Sequence, residues 1–149
     1  MTELKFYGHE DTNAEAIDES YRGIKTPADL YRALRRCWCA KTCAPRMRDR
    51  WSEDNMTLGQ CSITAFLAQD IFGGEVRGIA LGDGNFHCYN AAGGCVFDLT
   101  SEQFDRKLEY REDDKIQLRE VHFAKEEKRM RYELLKARLQ ETVGENDLV

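Results

Sequence analysis

The apolar positions along this chain follow two periods, and the switch between them outlines a fold. Leu30, Leu34, Cys37 and Trp38 recur at helical spacing. Ahead of them, Thr26-Pro27-Ala28-Asp29 joins a capping threonine, a proline suited to the first helical position and an aspartate favoured by the helix dipole. A helix is expected from Pro27 to about Lys41, and Pro45 bars its continuation. A second stripe, Ile63, Phe66, Leu67 and Ile71, is strongly apolar. Its helix starts between Thr57 and Cys61, stops at Gly73-Gly74 and is expected to be central to the core.

After those glycines the period falls to two. Glu75 to Leu81, Phe86 to Ala91 and Cys95 to Leu99 read as strands, separated by Gly82-Asp83-Gly84 and by a turn centred on Ala92-Gly93. Ser101 to Phe104 begins a short helical turn, and Ile116, Leu118 and Val121 alternate as a fourth strand. From Lys125 to about Thr142 runs a long charged helix, closed by Gly144. Met130, Leu134, Leu135, Ala137 and Leu139 give it a narrow apolar stripe, and Glu127–Arg131 is an i,i+4 ion pair on its solvated face. Residues 1–25 are polar and weakly periodic. Leu4, Phe6 and Tyr7 suit a short strand or packing arm, and the rest reads as a mobile extension. The pattern predicts one α+β domain over residues 26–149, with a central helix on a small antiparallel sheet.

Composition narrows the function classes. With 149 residues and a net charge of −5, a domain of this size is large enough for a real core and lacks the basic balance of a primary nucleic-acid binder. No apolar run approaches the roughly 18–20 residues that span a bilayer. The first residues lack the pattern of a secretory signal, so a cytoplasmic setting is expected. There the six cysteines are expected as free thiols rather than disulfides. Cys37, Cys39 and Cys43 form C-x-C-x3-C, which departs from paired zinc spacing. No metal or cofactor is expected. Trp51 reads as a packing anchor.

The chemistry concentrates between Gly59 and Phe104. A cysteine in the first helical turn meets unpaired backbone N–H groups and the positive end of the helix dipole, which favour the thiolate. Cys61 has that placement. With the hairpin centred on Ala92-Gly93, His87 pairs directly with Asp98 on one face, with Cβ atoms about 4.5–5.5 Å apart. A carboxylate so placed holds an imidazole in one tautomer and stabilises its charged form. Cys61, His87 and Asp98 are therefore the candidate nucleophile, general base and orienting acid. The Cys61 backbone N–H is one oxyanion donor, and the side chain of Gln60 or Asn55 is a candidate second. His9 and His122 have no comparable setting.

Several segments carry a resemblance. Trp51-Ser52-Glu53-Asp54-Asn55, Gly59-Gln60-Cys61-Ser62-Ile63-Thr64-Ala65, Gln69 to Gly74, His87-Cys88-Tyr89-Asn90 and Asp98-Leu99-Thr100-Ser101-Glu102-Gln103-Phe104 resemble the YunG-like family of small bacterial proteins. The likeness runs from about Ala33 to Phe104 and more weakly into Arg131 to Leu135. More distantly, the Cys–His–Asp order resembles transglutaminase-like members of the papain-like superfamily. That resemblance implies a papain-like scaffold, with Cys61 as nucleophile, His87 as base and acid, and Asp98 as the orienting group. It also implies a polar side chain six residues before the cysteine in the oxyanion hole, a position held here by Asn55 instead of the usual glutamine. Cys88 and the long C-terminal helix lie outside the superfamily pattern.

The expected activity is thiol-dependent acyl transfer by a peptidase, amidase, deamidase or transglutaminase-like enzyme, with a peptide, protein or small amide as substrate. The alternatives are a non-catalytic binding or regulatory domain on the same scaffold, its cleft filled by Phe86, Tyr89 or the N-terminal extension, and a small zinc protein using Cys37, Cys39 and Cys43 with Cys61 or Cys88.

Overall fold

The computed structural model describes residues 3–11 and 13–147, and the side chains among these as far as Gly144. Helix α1 spans Pro27–Leu34, α2 Cys61–Phe72, the single turn α3 Arg119–His122, and α4 Glu126–Asp147. The strands are β1 (Glu75–Ala80), β2 (Phe86–Ala92), β3 (Cys95–Phe97) and β4 (Lys115–Gln117). They form one antiparallel sheet in the order β3-β2-β1-β4. The α+β class and the small antiparallel sheet agree with the hydrophobic pattern.

Helix α2 lies against β2 and β1 on one side and α4 on the other. Ile63, Phe66, Leu67 and Ile71 are all fully buried, so the stripe read from the sequence is the core of the molecule. Asn90 ties strand to helix through a 2.8 Å hydrogen bond from its amide to the Ala65 carbonyl. Unsatisfied, that carbonyl and amide would each cost more than the bond gains.

Three expected elements differ. Helix α1 closes at Leu34, well before Lys41, and a separate 3₁₀ turn follows at Ala40–Thr42. Trp38 is the reason: its indole N–H donates to Thr64 Oγ1 at 3.0 Å, which turns the chain back onto α2. The threonine cap holds as read, with Thr26 and Asp29 forming a reciprocal capping box. In the fourth strand only Lys115–Gln117 pairs, and Val121 belongs to α3. Helix α4 passes through Gly144 to Asp147, and any fraying beyond it falls outside the described residues. Its buried face is Tyr132, Leu135, Leu139 and Val143, whereas Met130 is exposed and Arg131 is buried in its pair with Glu127.

The described part of the polar N-terminal segment is anchored rather than mobile. Phe6, Ala14, Tyr21 and Ile24 are buried in the same core as α2. Tyr7 forms a bridge with Asp98, whose N–H donates to the Tyr7 carbonyl at 3.0 Å. Few regular hydrogen bonds are needed for this, which is why periodicity did not reveal it.

The hairpin register also differs. Asn90 pairs with Phe97, Ala91 with Val96 and Ala92 with Cys95, so the turn is Gly93-Gly94. Both glycines have positive φ, 60° and 79°, as the favoured two-residue hairpin turn demands of both central positions. Ala92 would meet a steric penalty there. Continuing the same register places Asp98 opposite Tyr89 and leaves His87 one step further along on the same face. Asp98 and His87 are thus diagonal neighbours rather than direct partners. Because the register moves by two, the face is kept.

Candidate active site

Gly59 sets the entry to α2. Its φ of 70° lies in the region that favours glycine, and a Cβ there would stand 2.6 Å from Cys43 Sγ. Gln60 turns the chain and Cys61 is the first helical residue. No side chain caps this helix, so the first-turn N–H groups of Cys61 and Ser62 are left for another acceptor. Cys61 Sγ lies 3.9 Å from the Phe86 carbonyl oxygen, against the peptide that precedes His87.

His87 is only 1% exposed, and its Nε2 is 2.6 Å from Asp98 Oδ2. Diagonal pairs on a sheet are within reach of long side chains, so the altered register still permits the contact. Asp98 has every lone pair engaged. Tyr110 Oη donates to Oδ2 at 2.7 Å, and the Thr100 N–H and hydroxyl donate to Oδ1 at 3.2 and 3.4 Å. Tyr110 in turn stacks on Tyr7 with ring centroids 4.0 Å apart. The Phe104 edge packs on the His87 ring at 4.7 Å. With Nε2 committed to the carboxylate, Nδ1 is buried and has no hydrogen-bond partner among the described residues.

The electrostatics of the two groups are coupled. The Cys61 thiol is held well below its ordinary pKa, first by the neighbouring Cys88 thiol and then by the charge of His87, against the burial that opposes ionisation. Burial pulls the His87 imidazole down, but the Asp98 charge and hydrogen bond, with Cys61, push it up to about 10. Cys88 moves the other way. Its neighbour Cys61 and its burial hold it well above the usual thiol range, so it stays protonated. Burial likewise pushes Cys37 and Cys43 up.

The site opens on a cleft of about 680 Å³ to which Cys61, Ser62, His87, Gln103 and Phe104 contribute. Phe86 lines its wall. Tyr89 is turned away onto Tyr110 and Asp114, and the N-terminal segment borders a separate hollow near Cys95, so neither fills the cleft. The Asp98-Leu99-Thr100-x-x-Gln103-Phe104 segment supports the site at several points. Gln103 accepts from the Gly59 N–H at 3.3 Å and donates to the Thr100 carbonyl, so it links the cysteine loop to the aspartate loop.

The two side chains expected to complete the oxyanion hole do not reach it. Gln60 is fully buried and donates to the Cys39 carbonyl at 3.1 Å, away from the cleft. Asn55 sits in a local turn with Ser52 and is not among the cleft residues. Backbone N–H groups of the uncapped helix start are the donors at hand. Sequence reasoning missed Tyr110, which lies twelve residues beyond Asp98 with no periodic signal, and it set aside His122, which lines the cleft.

Among the described residues no three His, Cys, Asp or Glu side chains are grouped to hold a metal ion. Cys37 bonds to the Ala33 carbonyl and Thr142, Cys43 to the Ala44 carbonyl. No helix among those residues is long and apolar enough to cross a membrane.

These features define an α+β protein whose central helix presents a cysteine to a buried histidine–aspartate pair. The family model described as "YunG protein" matches residues 26–144, and the chain belongs to that family. It is 43% identical over 61 residues to "Uncharacterized protein YunG" of Bacillus subtilis (strain 168), covering 41% of this chain and 52% of the relative. The matched stretch thus spans about half the length of that relative. No solved structure matches the chain.

Proposed function

We propose that this protein is a thiol-dependent acyl-transfer enzyme, of the peptidase, amidase, deamidase or transglutaminase-like kind. One observation carries the reading. A buried imidazole has one nitrogen locked on a carboxylate and the other unbonded beside a thiol at an uncapped helix start. Most buried structural histidines pair both ring nitrogens, and here the ring with the unpaired one lines the same cleft as Cys61. The papain-like scaffold is part of the same proposal, supported by the helix-start cysteine and by a histidine and an aspartate on adjoining strands.

The chemistry follows from the geometry. Cys61 as thiolate attacks an amide or ester carbonyl, and the oxygen takes up negative charge beside the helix-start N–H groups. His87, as imidazolium held by Asp98, gives its Nδ1 proton to the leaving amine as the C–N bond breaks. It then takes a proton from water or an acceptor amine, which attacks the thioester and restores the thiolate. The unfilled cleft supports catalysis over the binding-domain alternative.

The test is alkylation of the intact protein with iodoacetamide near neutral pH, read by peptide mass spectrometry. One hyper-reactive cysteine, Cys61, is expected among the six, abolished in Cys61→Ser and slowed in His87→Ala. Uniformly slow alkylation of all six thiols would overturn the proposal.

A further inference from the structure

The opposite wall of the cleft is basic, although the chain as a whole carries a net charge of −5. Arg46, Lys115, Lys125, Lys128 and Arg131 all border it, against one carboxylate, Glu127, among the described residues. Glu127 is already paired with Arg131. The other four cations make no ion pair among the described residues. Elsewhere carboxylates meet their arginines directly, as Asp70 does Arg119, Glu75 does Arg77 and Glu102 does Arg35. Asp83, which feels the Arg46 charge, is bonded to its own turn through the Asn85 N–H.

Lys128 is the cation held in place. Its Nζ lies 2.9 Å from His122 Nδ1, and His122 Nε2 lies 2.9 Å from Gln117 Oε1. An ammonium only donates, so His122 accepts at Nδ1 and donates from Nε2 to the glutamine. Gln117 is fixed in turn by donating to the Lys115 carbonyl at 3.1 Å. The relay spends one of the three ammonium N–H groups on His122. Lys128 is half-buried and close enough to Cys61 for their charges to interact. A partly desolvated, unpaired cation is costly to keep unless something binds it. The thiolate meets part of that demand, and a substrate anion would meet the rest.

Beside these charges the cleft rim carries Ile116, Leu118 and Val121, exposed by 53%, 50% and 64%. A bare inorganic oxyanion would leave that apolar rim uncovered, whereas the carbon skeleton of a peptide would cover it. We infer that the cleft binds an amide or peptide acyl donor that carries a carboxylate on its acyl side, with Lys128 as the anchoring cation and Arg46, Lys115 and Lys125 as its supporting field. This rests on the acyl-transfer reading of Cys61.

Iodoacetate and iodoacetamide separate the two claims, because they alkylate by the same displacement and differ by a carboxylate against an amide. The intact protein is treated with an equimolar mixture, and the ratio of carboxymethylated to carbamidomethylated Cys61 is compared with that of N-acetylcysteine in the same tube. At low ionic strength the protein's ratio should favour the anionic reagent by about 10-fold or more over the free thiol. The preference should shrink several-fold at about 0.5 M salt and fall strongly in Lys128→Gln. Lys125→Gln, at an exposed position, should lower it less, and Lys136→Gln, outside the cleft, should leave it unchanged. A rapid iodoacetamide reaction with the free-thiol ratio would overturn the anionic substrate while sparing the acyl-transfer reading. Slow reaction of Cys61 with both reagents would overturn both.

Discussion

The two walls of the cleft are built on opposite terms. On the Asp98 wall the carboxylate oxygens are matched to donors, the imidazole is 1% exposed, and Tyr110 and Phe104 brace the pair. On the lysine wall the charges are mostly positive and mostly exposed, and apart from the Glu127–Arg131 pair they are unpaired among the described residues. The first wall is costly to disturb because each buried group depends on its partner. The second is inexpensive to alter, because water already solvates most of it. The difference separates what holds the proposed catalytic groups from what would choose a substrate.

The largest effect is expected from breaking the first wall. Asp98→Ala leaves His87 buried without its counter-charge and should cost about 3–5 kcal/mol of stability. Urea unfolding measures this directly. Asp98→Asn, which keeps the shape, should stay folded yet return Cys61 alkylation toward the rate of an ordinary thiol. If Asp98→Asn alkylates as fast as the parent protein, the carboxylate is not what poises His87.

The pH dependence sharpens the same point. A free thiol loses about tenfold in thiolate for each pH unit below its pKa near 8.5. Cys61, held well below its ordinary value by Cys88 and His87, should lose alkylation rate far less steeply than a free thiol between pH 8 and 6. At pH 6 it should outrun N-acetylcysteine by about 100-fold. Stability carries the complementary sign. His87 is raised to about 10, so its contribution is complete below its unfolded value near 6.5 and is lost as the pH rises through 10. The depressed Cys61 contributes fully above its unfolded value of about 8.5–9 and loses that share as the pH falls. The two slopes oppose each other until about pH 9, and above it only the histidine loss remains. The parent protein should therefore lose stability relative to His87→Ala between about pH 9 and 10.

Tyr110→Phe removes one donor from Asp98 and leaves the other contacts standing. About 1 kcal/mol of stability is expected to go, read from the urea midpoint, with a several-fold slower Cys61 reaction. A loss as large as that of Asp98→Ala would mean that the tyrosine, rather than the histidine, carries the pair.

How much of this was legible in the sequence follows the same division. Cys61 could be placed because a glycine precedes it and a helical stripe follows it. His87 and Asp98 could be put on one face because the period of two survives a register error of two. The error itself came from seating Ala92 in a turn position that demands positive φ. What the sequence concealed were groups delivered by tertiary packing. Tyr110 arrives from a loop, Tyr7 from a segment without periodicity, and Lys128 and His122 from the far end of the chain. Met130 shows the converse failure. Leu135 and Leu139 of the expected stripe are fully buried, but Met130 and Ala137 are exposed, and the buried face includes Arg131 instead, held by its bond to the Thr42 carbonyl and its pair with Glu127.

The smallest predicted effect is the most direct check on the comparison. Lys125→Gln removes an exposed charge with no ion-pair partner among the described residues, so stability should change by no more than about 0.5 kcal/mol. Its sign should be toward higher stability, since Lys128 is depressed by burial first and also by the neighbouring charge of Lys125. Removing that neighbour relieves like-charge repulsion, and the gain should disappear in high salt. Urea unfolding at two ionic strengths would show it. A loss above 1 kcal/mol would mean that the lysine wall is structural, in which case its unpaired charge is no longer a reason to expect an anion in the cleft.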